Sequence, residues 1–102
     1  MKELAVPEAA IRDPNSVELL RAWIADGDLY CSIRVGFFGE KGNPETTAWG
    51  ITLADVVKHL ADAAHLEDGS DKTQTVSAIR EAFIREWDKP TSTSSGEFVA
   101  EQ

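Results

Sequence analysis

The sequence predicts a small α+β domain in which three amphipathic helices pack against an antiparallel two-stranded hairpin, in the order helix, strand, strand, helix, helix. Two observations carry this prediction. The apolar residues change from helical spacing to strand alternation within residues 13–35. A second alternating run over 46–51 is then followed by two long runs at helical spacing, which end near residue 89.

Prolines near the start of the chain and a serine- and threonine-rich segment at its end indicate where the domain begins and ends. Two prolines interrupt residues 1–14, which we expect to form an irregular N-terminal arm. A single domain is expected over 15–89. Residues 90–102 are rich in serine and threonine and predict a mobile C-terminal tail, in which Phe98 and Val99 could dock as a short anchor.

The first predicted helix is also the most ambiguous element. Asn15 can cap it, and Gly27 suits the left-handed position just beyond its end. Asp26-Gly27 also favours a type I′ hairpin turn, and residues 17–25 would then be a strand. We favour the helix because residues 19–22 are good helix formers.

Two strands are predicted next. The first has an apolar side and a polar side, which alternate as Leu29, Cys31, Ile33 and Val35 against Tyr30, Ser32 and Arg34. Gly36–Glu45 is a glycine-rich loop. Thr46–Ile51 is the second strand, because Thr47, Trp49 and Ile51 would share one face.

Two further helices complete the domain. Thr52 caps the second helix, with Asp55 at its third position, and the pattern breaks over His65–Ser70. The third helix begins at Asp71, with Gln74 placed to complete the cap, and ends at Lys89-Pro90. Their apolar stripes are Leu53, Val56, Val57, Leu60, Ala61 and Ala64 for the second, and Val76, Ile79, Phe83 and Trp87 for the third.

A two-stranded sheet leaves both of its edges open. Open edges invite pairing with another strand, and a lone hairpin is marginally stable. We therefore expect a homodimer in which two copies could pair their hairpins into a larger sheet.

Composition and charge limit the classes of function. The chain is 42% apolar and 27% charged, as in ordinary soluble proteins, and has one cysteine, so a reducing compartment is expected. It begins without a signal-peptide pattern and has no run that could span a membrane, which predicts a cytoplasmic location. A net charge of −8 disfavours binding to nucleic acid and to anionic membranes.

The central part of the chain resembles a small family of uncharacterised bacterial single-domain proteins, classed as a domain of unknown function. The resemblance lies in Leu20-Arg21-Ala22-Trp23-Ile24, Asp26-Gly27 and the strand from Leu29, and then in Ala48–Asp55 and His59. It covers about residue 15 to about residue 65 and implies a bacterial origin. The family has no assigned activity, so the resemblance implies no catalytic residue and no cofactor.

One candidate site is an acidic and histidine-bearing helix face. Asp55, His59, Asp62 and His65 fall within an arc of about 120° on the second predicted helix, opposite its apolar stripe. Such side chains can hold a divalent metal, but one straight helix cannot surround an ion, and Lys58 within the arc would repel a cation. A solvated helix face with local ion pairs is the alternative.

Nucleophilic catalysis has weaker support. Cys31 shares the apolar side of its strand, where a thiol packs as a small hydrophobe. The glycines of Gly39-Glu40-Lys41-Gly42 lack the length and the Ser/Thr of a phosphate-binding loop, and no Gly-x-Ser-x-Gly elbow is present. We therefore expect no enzyme and no cofactor.

The outer face of the sheet is the better candidate. Tyr30, Ser32 and Arg34 line it, and Trp49 could join them in a suitable register. Tyrosine, tryptophan and arginine dominate protein-binding hot spots, and an arginine beside aromatic rings can hold an anion. In the alternative, the arm, the tail or the adjacent phenylalanines cover this face, and Arg34 pairs with the chain's own acidic residues.

The leading hypothesis is a small non-enzymatic interaction or accessory protein that self-associates. The runner-up is a metal- or anion-dependent enzyme or ligand sensor that uses the four residues of the Asp/His helix face.

Overall fold

The architecture comes from a computed structural model, which describes residues 1–91 and 98–101. The predicted α+β class is confirmed, although the described residues form four helices and a three-stranded sheet rather than three helices and a hairpin. The elements in chain order are α1 (Glu8–Arg12), β1 (Leu20–Ala25), β2 (Asp28–Arg34), α2 (Phe37–Glu40), α3 (Glu45–Asp68), α4 (Lys72–Asp88) and β3 (Phe98–Glu101).

The elements group into two compact units. The first contains residues 1–35 together with the C-terminal strand β3, and the second contains the three helices that follow Val35. None of the helices in the described part of the chain is long and apolar enough to cross a membrane.

The predicted helix over residues 15–25 is wrong, and the hairpin alternative is correct. β1 pairs antiparallel with β2 through a two-residue turn. Asp26 and Gly27 in that turn both have positive φ, at 52° and 79°. Two consecutive left-handed residues match the right-handed twist of the two strands. The preference of Asp-Gly for a hairpin turn therefore outweighed the helix propensity of the residues that precede it.

The sheet has a third strand. β3 lies beside β2 in the order β1-β2-β3 and pairs with it in parallel, with Cys31 opposite Phe98. The suggested anchor of the tail therefore lies within a strand. The rest of the predicted mobile tail falls largely on residues 92–97 and 102, which lie outside the described residues.

The second predicted strand, Thr46–Ile51, is also wrong. These residues form the first turns of α3, which begins at Glu45 rather than after Thr52. Their alternation is only six residues long and is followed directly by an apolar stripe at helical spacing. These residues are therefore part of the longer helix. The second predicted helix was expected to end before His65, whereas α3 continues to Asp68. It ends where Gly69 adopts a left-handed φ of 77°.

The last helix follows its predicted boundaries closely. The Asp71 side chain accepts a hydrogen bond from the backbone N–H of Gln74, and α4 ends one residue before Lys89. Two short helices were not predicted. α1 lies within the N-terminal arm, and α2 lies within the loop that precedes α3.

Candidate functional site

The sheet has two chemically different faces, because β1 and β2 alternate in register with Leu20 opposite Ile33. The apolar sheet face consists of Leu20, Ala22, Ile24, Leu29, Cys31, Ile33, Phe98 and Ala100. The opposite face, which we call the arginine–aromatic face, carries Arg21, Trp23, Tyr30, Ser32 and Arg34. The register also assigns Ala25, Asp28, Val99 and Glu101 to this side of the sheet.

Three of the four residues predicted to form an interaction site lie together on the arginine–aromatic face. Tyr30, Ser32 and Arg34 are all half-buried there. Arg21 is paired opposite Ser32, and Trp23 is paired opposite Tyr30. The sequence analysis missed Arg21 and Trp23 because it placed them in a helix, although their alternation with apolar neighbours was a visible strand signal.

Two acidic residues that precede β1, Glu3 in the N-terminal arm and Glu18, supply carboxylates to this face. The Arg21 guanidinium binds Glu3 at 3.0 Å and Glu18 at 3.1 Å, and lies 5.9 Å from the centre of the Trp23 ring. The hydrogen bond and charge of Glu18 raise the pKa of Arg21, with a smaller contribution from Glu3. Arg34 donates from Nε to the Glu18 carbonyl oxygen at 3.1 Å. Arg21 thus binds two carboxylates of its own chain, and Arg34 binds a backbone carbonyl oxygen.

Two shallow grooves border the arginine–aromatic face. One has a volume of about 710 Å³ and runs between the arm and β1, where Leu4, Val6 and Trp23 contribute apolar walls. The other has a volume of about 280 Å³ and is lined by Glu18, Leu20, Arg21, Ser32, Ile33 and Arg34. Open grooves with arginine and aromatic walls suit an extended segment of another protein better than an enclosed substrate.

Trp49, the fourth predicted residue, lies on α3 in the other unit. The strand on which its expected place beside Tyr30 depended is not formed. Its indole Nε1 donates a hydrogen bond to Glu45 at 3.0 Å, and its ring packs edge-on against Phe38 with 5.8 Å between centres. The position of Trp49 is therefore explained by the start of α3.

Glu45 is the most fully hydrogen-bonded carboxylate of that region. It accepts the backbone N–H groups of Gly36 at 3.0 Å and Gly39 at 2.7 Å, in addition to the Trp49 indole. Partial desolvation raises the pKa of Glu45, but hydrogen bonds from Gly39, Trp49, Gly36 and Phe38 outweigh it and hold the pKa below its ordinary value. This carboxylate ties α2 to α3, which is a structural role.

The four residues of the proposed metal site lie along α3, and three of them contact other residues of the chain. Asp55 pairs with Lys58 at 3.5 Å, and Asp62 pairs with Lys72 at 3.2 Å. The Nδ1 atom of His65 lies 3.0 Å from the carbonyl oxygen of Ser70, and His59 is exposed. Among the residues that the structure describes, no three histidine, cysteine or acidic side chains are grouped as metal ligands would be.

Comparison with protein families decides the identity of the domain. The family model named DUF5076, a domain of unknown function, matches residues 3–91. The chain belongs to the DUF5076 family. This confirms the family resemblance seen in the central motifs and extends it to both ends of the domain.

A solved structure is similar to this DUF5076 chain along almost its whole length. It is described as "a putative pyruvate dehydrogenase from the photosynthetic bacterium Rhodopseudomonas palustrus CGA009". The TM-score is 0.67 at 24% sequence identity, and the match covers 93% of this chain and 92% of the other. At this identity the likeness shows the fold alone. No curated protein matches the chain.

The DUF5076 chain leaves most of its large apolar side chains accessible. Among the described residues only Ala61 is buried, at a contact between α3 and α4, whereas nineteen large apolar side chains are exposed. They include members of the apolar sheet face, such as Ile24 and Phe98, and members of the helices, such as Leu60 and Trp87. Both units therefore present apolar surface that suits contact with another surface.

Proposed function

We propose that this protein is a homodimeric, non-enzymatic interaction or accessory module, and that self-association supplies much of its hydrophobic core. The observation that supports this proposal most directly is the burial of Ala61 alone among the described residues. Full burial of a leucine, isoleucine or phenylalanine side chain contributes about 1.5–3 kcal/mol. A chain that leaves so many of these side chains accessible gains the missing stability when a second copy covers them.

We further propose that the arginine–aromatic face binds a carboxylate-bearing segment of a different protein. Three features support this role: the half-buried Tyr30 and Ser32, the arginines beside them, and the two carboxylates that Arg21 already holds. Glu3 on the arm occupies the place that an acidic residue of the partner would take. Arginines and aromatic rings that lie together on one face of a sheet are typical of binding hot spots.

Sedimentation velocity over a wide range of protein concentration tests self-association. We expect a species of twice the 11.1 kDa chain mass, with a fraction that rises with concentration. The melting temperature should rise with concentration as well, because association stabilises only the folded chain. A single 11.1 kDa species with a melting temperature independent of concentration would contradict the proposal.

A titration with a glutamate-rich peptide at low ionic strength tests the partner-binding face. The net charge of −8 repels such a peptide in general, so any binding reports a local cationic site. We expect NMR shifts at Arg21, Tyr30 and Ser32 of the wild type, and the loss of the shifts at Arg21 and Ser32 when Tyr30→Ala and Arg34→Ala are combined.

Arg80→Gln provides the matched control, because it removes an exposed arginine on α4 instead. It should leave the peptide-induced shifts unchanged. Equal weakening by both variants would show a general charge effect and would remove the support for this face.

A further inference from the structure

Helix α3 has two adjacent apolar faces, and α4 covers one of them. Ala61 on the covered face is 2% exposed, and Val57 and Ala64, one turn away on either side, are half-buried. The second face, which we call the α3 seam, consists of Trp49, Leu53, Val56 and Leu60. The last three are 42%, 44% and 52% exposed.

The spacing within the α3 seam matches the surface that a second helix would pack against. Its four residues follow one another at intervals of four, three and four positions. This is the 3.5-residue repeat of a coiled coil, in which side chains of one helix insert between those of a second helix. The seam therefore suits another helix, whereas the apolar sheet face has no comparable pattern that defines its partner.

The charges around the α3 seam suit a second copy of the chain. A homodimer brings together two molecules of net charge −8, so an interface with few carboxylates is favoured. From Trp49 onward the positions that flank the seam carry no carboxylate: they are Gly50, Val57 and Ala64 on one side, and Thr52, His59 and Leu66 on the other. Glu45, one turn before Trp49, is the nearest carboxylate in that row, and it already accepts hydrogen bonds from the Trp49 indole and from the backbone N–H groups of Gly36 and Gly39. Asp55 and Asp62 lie outside these positions, and each pairs with a lysine.

We propose that the α3 seam is the homodimer interface and packs antiparallel against the α3 seam of a second copy. The two α3–α4 hairpins then form a four-helix bundle. Leu53 of each copy meets Val56 of the other, and Trp49 meets Leu60. This inference rests on the proposed self-association and names the surface that carries it.

The antiparallel orientation follows from the seam positions nearest the end of the helix. Continuing the 3.5-residue repeat beyond Leu60 leads first to Ala63 and then to Glu67. In a parallel pair the two copies of Glu67 would lie side by side, which is unfavourable for like charges. The antiparallel pairing places Glu67 beyond the start of the opposing helix, and it also sets the two helix dipoles in opposite directions.

The effect of Leu60→Ala on the dissociation constant of the dimer provides the first test. Alanine retains the helix propensity of α3, so the variant alters the seam and leaves the helix intact. Because a dimer loses two leucine side chains, we expect the dissociation constant to rise by at least about 100-fold. Ile51→Ala is the matched control, since Ile51 is an exposed apolar residue of α3 outside the seam, and its dissociation constant should stay near that of the wild type.

Disulfide cross-linking tests the orientation without depending on the stability of a variant. Two single-cysteine chains are mixed, one with Cys31→Ser and Leu53→Cys, the other with Cys31→Ser and Val56→Cys. The antiparallel seam predicts a mixed covalent dimer identified by its mass, in preference to either homodimer. Lys58→Cys in the same background is the control, because Lys58 is exposed and lies outside the seam, and it should stay unlinked.

The outcomes separate this inference from the proposed function. A monomeric wild-type protein would overturn both. A wild-type dimer that Leu60→Ala leaves intact, and that forms no link between positions 53 and 56, would overturn the α3 seam alone and direct attention to the apolar sheet face. Homodimeric disulfides at position 53 would show parallel pairing and would overturn the proposed orientation.

Discussion

The indole of Trp49 donates a hydrogen bond to the carboxylate of Glu45, one helical turn before it, across 3.0 Å. The same carboxylate also receives the backbone N–H groups of Gly36 and Gly39. Through these bonds α2 is held against the first turn of α3. Because Trp49 is also the first residue of the α3 seam, Glu45 fixes one end of the proposed dimer interface.

Glu45→Gln should lower the melting temperature at neutral pH, because it replaces a charged acceptor of several hydrogen bonds with a neutral amide. The folded chain depresses the pKa of Glu45 below its ordinary value of 4.5. The wild-type advantage is therefore fully present above that value and is lost as the pH falls through the folded pKa. Thermal melts of both proteins from neutral to acidic pH measure this difference.

Glu67→Gln is the control for that series, since Glu67 is exposed near the end of α3. It removes a carboxylate without removing an acceptor of backbone hydrogen bonds, so it should not reproduce the Glu45→Gln deficit at neutral pH. A Glu45→Gln deficit that persists unchanged at the acidic end would show that the carboxylate charge is not its cause.

Gly27→Ala should destabilise the hairpin by roughly 1–2 kcal/mol, because Gly27 has a φ of 79° that alanine adopts at a cost.

Gly50→Ala should have the opposite effect. Gly50 lies inside α3 with no atom within 4 Å of an added methyl group, so alanine should stabilise the helix by about 0.5–1 kcal/mol. Chemical denaturation of the two variants measures the change in the free energy of unfolding that each substitution causes. Stabilisation by Gly27→Ala would contradict the type I′ turn.

Asp71→Ala should cost about 1 kcal/mol of stability, because it removes the side-chain acceptor at the start of α4. Asp71→Ser should retain most of that stability, since serine is also a good N-cap residue. Urea unfolding of the three proteins tests the assignment. Equal stability of the alanine and serine variants would show that the cap contributes little.

The sequence predicts those parts of the fold in which several local signals agree. The helix that begins at Asp71 has a capping residue, an answering Gln74 and a long apolar stripe, and the structure confirms it. β2 has seven residues with clean alternation and is confirmed too. Each of these elements could be predicted because its cap or period admits one interpretation.

The errors arose where two short-range signals conflicted. Asp26-Gly27 can end a helix or turn a hairpin, and the helix formers before it favoured the wrong choice. The alternation over residues 46–51 was also ambiguous, since six residues satisfy a strand and the start of a long helix alike. The alternative hairpin was the better choice because its turn geometry and its amphipathic strands agree.

The candidate site was predicted in part. Tyr30, Ser32 and Arg34 share one face because β2 was assigned correctly. Their neighbours Arg21 and Trp23 were missed, because a strand mistaken for a helix hides the face that its alternate residues form. The parallel partner β3 also lay beyond local reasoning, since its pairing joins residues about 67 positions apart in the sequence.

Native mass spectrometry of the wild-type protein, purified without a chelator, tests the central claim most directly. We predict a dimer of twice the 11.1 kDa chain mass, with no additional mass from a bound ion or small molecule. A bare monomer at concentrations where the chain remains folded would contradict self-association. A stoichiometric metal ion would instead favour a ligand-binding role for the histidines and aspartates of α3.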